Sequence, residues 1–285
     1  MLESQKQQDK IELFHNALIQ HGPLSKRIYL MKLKKADPAK LVPAMEEFAK
    51  LNGYTKIFVK VQAHLAEIFL GSGYQKEAKV PGFFHGQEAA IFLGHYLDSE
   101  RQKETSSLEL ENIIDLAQKK GRDDAQPNTL PNGAILRRCI PDDAVRMSKI
   151  YKEVFLSYPF PIDDPRYLID TMLKHVVYFG IEINKKFVAF SSAEMDTVSK
   201  NVEMTDFATL PKFRGNSYAS LLLRFMENEM RSRGMQAAYT IARAISLGMN
   251  ITFGKAGYTY GGRLINNTNI AGQIESMNVW HKNLQ

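Results

Sequence analysis

Val202-Glu-Met-Thr-Asp-Phe-Ala-Thr-Leu-Pro-Lys-Phe-Arg-Gly-Asn-Ser-Tyr-Ala219 is the stretch on which the reading of this chain turns. Residues 201–210 alternate in the manner of a strand. Pro211 and Gly215 break the pattern. From Ser217 to Arg233 the spacing of Leu221, Leu222, Phe225 and Met226 predicts an amphipathic helix, stopped by Gly234. A strand therefore runs into a loop, and the loop opens a helix. The first N–H groups of a helix have no partner within it and point at whatever sits there, and the helix dipole favours an anion. Arg214 adds a cation, and Gly215 allows backbone to come close. The segment reads as a phosphate cradle.

Working outward, residues 134–285 fill with alternating elements. Strands are expected over 134–138, 176–183, 187–196, 237–243, 258–264 and 273–281, with helices over 142–155, 166–173 and 246–255. The turn-rich Ser157-Tyr-Pro-Phe-Pro-Ile-Asp-Asp-Pro165 interrupts them. Residues 1–24 predict a short helix (Ile11, Phe14, Leu18, Ile19) ending at Gly22-Pro23. After it, 27–33, 55–61, 74–80 and 89–96 read as strands, and 38–51 and 63–70 as helices. Ser106–Lys120 predicts a polar helix with Leu108, Ile113, Leu116 and Ala117 on one face, followed by the linker-like Gly121-Arg-Asp-Asp-Ala-Gln-Pro-Asn128. The class is α/β (α+β), a mixed central sheet flanked by helices.

Ile57, Phe69, Gly73 and Tyr74 recur 184 residues later as Ile241, Phe253, Gly257 and Tyr258, in the same strand–helix–strand order. The organisation expected is a truncated, non-catalytic relative at 1–97, lacking the phosphate-loop strand, a helical linker at 98–133, and a complete domain at 134–285.

Of the 285 residues 44% are hydrophobic and 24% charged, which excludes a disordered or fibrous chain. The formal charge is +6, and residues 134–285 hold 19 basic against 14 acidic residues. That places an anion site in the second half. A nucleic-acid partner is not expected, and Lys32-Leu-Lys-Lys35 reads as a solvated face. A single cysteine, Cys139, precludes an intrachain disulfide and fits a cytoplasmic setting. Its neighbours Arg137 and Arg138 would lower its pKa, but a buried strand position is the plainer reading. The polar first residues predict no secretory signal, and no stretch approaches the roughly 18 apolar residues of a membrane span. Seven histidines without ligand spacing predict no metal.

Arg214-Gly-Asn-Ser217-Tyr-Ala219 resembles the acetyl-CoA pyrophosphate loop of the GNAT (GCN5-related N-acetyltransferase) superfamily, with Ser217 where that family usually has Gly. Ser246-Leu-Gly-Met-Asn-Ile-Thr-Phe253-Gly-Lys-Ala-Gly257-Tyr258 resembles its second motif, with Phe253 at the position of a frequent tyrosine general acid. Met204–Pro211, Gly257-Tyr-x-Tyr-Gly-Gly262, Asn266–Trp280, Ser157–Ile162 and Arg27–Lys32 are similar, more narrowly, to the β-lysine N6-acetyltransferases, so the resemblance spans nearly the whole chain.

The resemblance implies acetyl-CoA as co-substrate and direct acetyl transfer to a small amine. It implies a functional link to lysine 2,3-aminomutase, and it allows a homodimer. A GNAT enzyme for another amine (a polyamine or an amino sugar) and a non-catalytic acyl-CoA-binding regulator are the alternatives. The expected cofactor residues are Phe207, Ala208, Thr209, Arg214, Gly215, Asn216, Ser217, Tyr218, Ala219, Asn250 and Phe253. The chemistry needs a neutral amine, and at neutral pH only about one lysine-type amine in a thousand or fewer is unprotonated. A carboxylate base is required. Glu203 is the first candidate, Asp206 the second and Glu194 on the neighbouring strand the third, although strict alternation sends Asp206 to the other face unless a bulge intervenes. Tyr258 or Tyr260 is the candidate acid, although an aromatic core role is the plainer reading. Arg243 is expected to hold a substrate carboxylate, with Glu194, Asn266, Asn267 and Glu275 facing amine groups.

Overall fold

The computed structural model describes residues 9–121 and 129–285. The first eight residues of the expected N-terminal helix and the linker stretch 122–128 lie outside them. In the first half β1 (Lys10–Phe14), β2 (Ala17–Gly22) and β3 (Arg27–Lys32) run antiparallel. Helix α1 (Pro38–Leu51) then carries the chain to β4 (Lys56–Gln62), parallel to β3. Helix α2 (Ala66–Leu70), β5 (Gln75–Phe84) and β6 (Glu88–Tyr96) follow, and α3 (Ser99–Gln102) and α4 (Ser107–Lys120) lead to the second half. There the order is β7 (Ala134–Arg138), α5 (Ala144–Val154), α6 (Pro165–Lys174), β8 (Val176–Ile183), β9 (Lys186–Asp196), β10 (Asn201–Thr209) and α7 (Tyr218–Ser232). It closes with β11 (Ala237–Arg243), α8 (Leu247–Lys255), β12 (Thr259–Ile270) and β13 (Gln273–Asn283).

These strands join in one sheet, ordered β1-β2-β3-β4-β6-β5-β12-β13-β11-β10-β9-β8-β7. The order is a palindrome about the β5–β12 seam. Each strand from β1 to β6 has a counterpart from β8 to β13, and α1 and α2 match α7 and α8. The four recurring residues sit on these equivalent elements. Lys56↔Tyr96 and Ile57↔His95 in the first half repeat as Thr240↔Trp280 and Ile241↔Val279 in the second. The first half therefore does contain the strand that sequence reading denied it, β3. What it lacks is a counterpart of β7, α5 and α6.

Two sequence expectations are overturned. Residues 10–22 form a hairpin rather than a helix. His15 (φ 46°) and Asn16 (φ 64°) are both left-handed, the geometry of a type I′ turn, which suits Asn. The apolar spacing looked helical because β2 is buried on both faces and so loses strand alternation. In α4 the buried residues are Leu110, Ile113, Ile114 and Ala117, whereas Leu108 and Leu116 are exposed. That face packs on α8 so closely that a Cβ on Gly254 would stand 2.2 Å from the Ala117 carbonyl oxygen. The linker helix is thus part of the second half's packing. One core lies between the sheet and α7, built on Val202, Met204, Leu222, Met226 and Trp280. Another, with Tyr29, Phe58, Phe92, Tyr239 and Met277, joins the two halves across the curled sheet.

Candidate active site

Strands β10 and β11 pair only at Asn201↔Ala237, Val202↔Ala238 and Glu203↔Tyr239. Beyond that point they diverge, leaving backbone donors and acceptors of 204–209 and 240–243 without each other as partners across the gap. The wedge opens into a cavity of about 720 Å³, whose lining runs from α7 through both strands to Tyr29, Phe58 and Lys60 of the first half.

A bulge sets the acidic groups. Thr205 pairs with Ser192 and Ala208 with Phe190, so β10 carries one extra residue there. Asp206 takes φ 54° within it, a conformation aspartate tolerates. Its carboxylate turns into the cavity beside Glu203 and accepts from Tyr158 Oη (2.5 Å) and Ser192 Oγ (2.5 Å). Glu203 stands directly across from Glu194 on β9. Burial, and then the charge of Glu194, push Glu203 up to about 7, with Lys60 opposing. Lys60 Nζ donates to Tyr239 Oη at 3.1 Å, and Tyr239 is the strand neighbour of Glu203. Burial also raises Asp206, against its two hydroxyl donors. His175 Nε2 lies 3.6 Å from Glu194 and keeps that carboxylate low despite burial. Glu203 is therefore held well above the usual carboxylate range, near neutral pH.

At the other end of the wedge, α7 begins with no side-chain cap. Ser217 occupies the N-cap at φ 57° and Gly215 has φ 84° with open space around it. Uncapped N–H groups, Arg214 and a loop free to approach make a fitting cradle for a phosphate group. The counterpart helix α1 is closed instead: Asp37 accepts from the Ala39 N–H, and Pro38 occupies the first turn. A carboxylate already fills the position where an anion would bind.

Of the residues expected to form the site, Glu203, Asp206, Phe207, Thr209, Arg214, Gly215, Ser217, Tyr218, Ala219, Phe253, Glu194, Arg243 and Asn267 line the cavity. Others do not. Ala208 faces the opposite core, and Asn216 donates to the Phe213 carbonyl at 3.0 Å within its own loop. Asn250 ties the turn after β11 by donating to the Ser246 carbonyl (2.8 Å), and it accepts from Asn278 Nδ2 and Trp280 Nε1 (both 2.9 Å). Tyr258 packs behind Phe253 with its ring 5.2 Å away, so the acid role expected of it has no access to the cavity. Asn266 donates to the carbonyls of Arg101 and Lys103. Glu275 grips Arg243 through two hydrogen bonds (2.8 and 2.6 Å), so neither side chain is unpaired. Cys139 is buried, and burial pushes its thiol up, overriding Arg137.

Sequence reading missed the contribution of the first half (Gln20, Arg27, Tyr29, Lys60) and of Tyr158, Ser192 and Tyr239. A signal existed for two of these: Arg27 and Tyr29 alternate within Arg27–Lys32, one of the stretches that carry the resemblance.

The Acetyltransferase (GNAT) family model matches residues 145–248. Three proteins are similar over most of the chain. A β-lysine N6-acetyltransferase of Methanococcus maripaludis is 40% identical over 96% of this chain and 98% of its own. The N-acetyltransferase YodP of Bacillus subtilis is 33% identical over 94% and 96%. A β-lysine N6-acetyltransferase of Methanosarcina mazei is 31% identical over 73% and 83%.

Proposed function

The chain belongs to the GNAT acetyltransferase family and is an acetyl-transferring enzyme; we propose that its reaction carries acetyl from acetyl-CoA to the N6 amine of β-lysine (3,6-diaminohexanoate). The product would be Nε-acetyl-β-lysine, a compatible solute. A lysine 2,3-aminomutase would supply the amine, and the setting would be cytoplasmic. Residues 1–97, 98–133 and 134–285 would serve as acceptor-side half, connecting helices and donor-binding half. The observation that carries the reading is the splayed β10–β11 wedge, which opens beside Glu203 and Asp206 and ends at an uncapped helix.

Acetyl-CoA supplies an activated thioester. The N–H groups at the start of α7, with Arg214, would hold its phosphates, and the unpaired edges of β10 and β11 would take its amides. Glu203 would accept a proton from the N6 ammonium, a step that a group near pH 7 performs well because it is both ionised and basic enough. Asp206, fixed by Tyr158 and Ser192, would hold the ammonium in line through its remaining lone pairs. Backbone N–H groups of 207–209 would face the carbonyl oxygen, the position where donors matter most to acyl transfer. Phe253 and Phe207, edge to face at 5.7 Å, would give that end an apolar wall.

Thiol release from acetyl-CoA with β-lysine, α-lysine and spermidine tests the reading, with mass spectrometry locating the acetyl group. The expected result is selective release with β-lysine and acetylation at N6. Release with none of the three, despite coenzyme A binding, would overturn it.

A further inference from the structure

Two polar atoms at one end of the cavity have no partner among the described residues: Arg27 Nε and Asn267 Oδ1. Both residues line the cavity, Arg27 at 5% exposure and Asn267 at 1%. Leaving a buried donor or acceptor unpaired is expensive, and leaving a buried cation without a counter-charge more so. Such groups persist when a ligand completes them.

The surroundings specify the ligand. Among the described residues no carboxylate lies within ion-pair distance of Arg27. The acidic groups that influence it are committed elsewhere. Glu77 takes two hydrogen bonds from Lys56 Nζ (2.8 and 2.9 Å), and Asp9 accepts from the Leu24 and Ser25 N–H groups. Burial drops the Arg27 guanidinium to about 10, still charged at neutral pH. Its Nη1 donates to the Asn267 carbonyl (2.7 Å) and to Thr268 Oγ1 (2.8 Å), and Nη2 donates to Gln20 Oε1 (3.5 Å). The plane of the guanidinium is steadied by the rings of Tyr29 and Phe58, 5.4 and 5.6 Å from its carbon. A fixed, buried cation with no carboxylate on it and N–H groups to spare calls for an anion in the cavity.

Asn267 reaches this place because β12 bulges. Leu264 pairs with Met277 and Thr268 with Glu275, so residues 265–267 bow out of the strand. The first half and α3 hold that bow open: Lys56 donates to the Ile265 carbonyl, Arg101 Nε to that of Asn266 and Arg27 to that of Asn267. Arg27 thus joins the residue carrying the orphan acceptor to the orphan donor. A cation in want of an anion and a side-chain amide thus line the same cavity. A β-amino acid presents the matching pair, a carboxyl carbon and an ammonium nitrogen three bonds apart. Tyr29 and Lys60 link this corner to Tyr239, the strand neighbour of Glu203, along the wall of the same cavity.

We infer that substrate specificity is set where the two halves meet: the Arg27 guanidinium binds the substrate carboxylate and the Asn267 side-chain amide its C3 ammonium. This rests on the β-lysine reading above and moves carboxylate recognition from Arg243, which Glu275 holds, to a residue of the other half.

Analogues that lack one group each test it. Pentane-1,4-diamine is β-lysine without its carboxylate, and 6-aminohexanoate is β-lysine without its C3 amine. In the unaltered enzyme kcat/KM should fall by about 100-fold or more for the diamine and about 10-fold or more for the amino acid. Arg27→Met should bring the β-lysine/diamine ratio toward one and leave the β-lysine/6-aminohexanoate ratio standing; Asn267→Leu should do the reverse. Melting curves check that each variant folds, and the analogue series on the unaltered enzyme stands even if one does not. Good turnover of β-lysine with equal turnover of both analogues would overturn this inference alone. Failure of β-lysine itself would overturn the functional reading and this one with it. Ratios unchanged in folded variants would leave Arg27 and Asn267 a structural role only.

Discussion

Replacing Glu203 by Gln removes the ionisable group while keeping size and most hydrogen-bonding capacity. The unaltered enzyme should show an acid limb in kcat/KM near pH 7, since burial and Glu194 hold this carboxyl at about 7. With that value the base is half ionised at pH 7 and about one-tenth ionised at pH 6, and the rate should follow. Above pH 8 it should level off, because the base is then ionised and the substrate still arrives as ammonium. Loss of a general base costs about 100- to 10,000-fold at pH 7. The variant's pH dependence is the sharper signature. Without a base, only amine that is already neutral can react, and with a pKa of about 10.4 that fraction grows about 100-fold between pH 7 and 9. Over the same interval the unaltered enzyme should gain only about twofold, the fraction of Glu203 still protonated at pH 7. The deficit should therefore shrink as pH rises. Thiol release followed with a dipyridyl disulfide measures this across the range. A variant whose profile keeps the limb near pH 7 would refute the assignment. A matching loss in Asp206→Asn with no loss in Glu203→Gln would move the role to Asp206.

Further outcomes follow from the same geometry. Lys60→Met removes the cation that opposes the rise of Glu203, so the acid limb of kcat/KM should move to higher pH; a limb that stays or moves down would show that Lys60 does not act on this carboxyl. Gly254→Ala puts a methyl 2.2 Å from the Ala117 carbonyl oxygen and should lower stability by about 1–3 kcal/mol or more, read as a reduced denaturant midpoint, with α4 exchanging its amides faster. Cys139 should stay unmodified by thiol reagents in the folded enzyme and react on unfolding, because burial both covers the sulfur and disfavours the thiolate; fast labelling of native protein would contradict that packing.

The second half was legible because its chemistry is local. The run from Val202 to Ala219 announces strand, loop and helix through proline, glycine and apolar spacing, and the structure places its loop, Arg214 and the helix start at the cavity. The bulge that turns Asp206 inward was only a conditional, since alternation cannot register an extra residue until the partner strand is known. The first strands were misread for a related reason. Buried on both faces, β2 shows no alternation, and His15-Asn16 marks a turn only once two strands flank it. Asn250, Tyr258 and Glu275 misled because residue type and spacing were right, while their partners (Trp280, Phe253 and Arg243) are distant in sequence or claim the same atoms. The alternation of Arg27 and Tyr29 put them on one strand face but could not say what that face meets, because Arg27 and Asn267 come together only through the β5–β12 seam.

That seam gives the duplication a consequence. Two similar halves joined through equivalent edge strands, and curled so that their inner faces share one core, would in principle offer two donor sites. Only one is open. Strands β10 and β11 separate after three pairs, and α7 starts uncapped. Strands β3 and β4 stay paired from Arg27↔Lys56 to Leu30↔Val59, and Asp37 closes α1. A half relieved of binding an acetyl donor can present its strands to the other half's cavity instead. The face carrying Arg27, Tyr29 and Lys60 does so, and it brings cations to a site whose own half supplies Glu194, Glu203 and Asp206. The carboxylates suit the amine end of a substrate and the arginine suits its acid end, so recognition of a zwitterionic chain is divided between the halves along the same line as the charges.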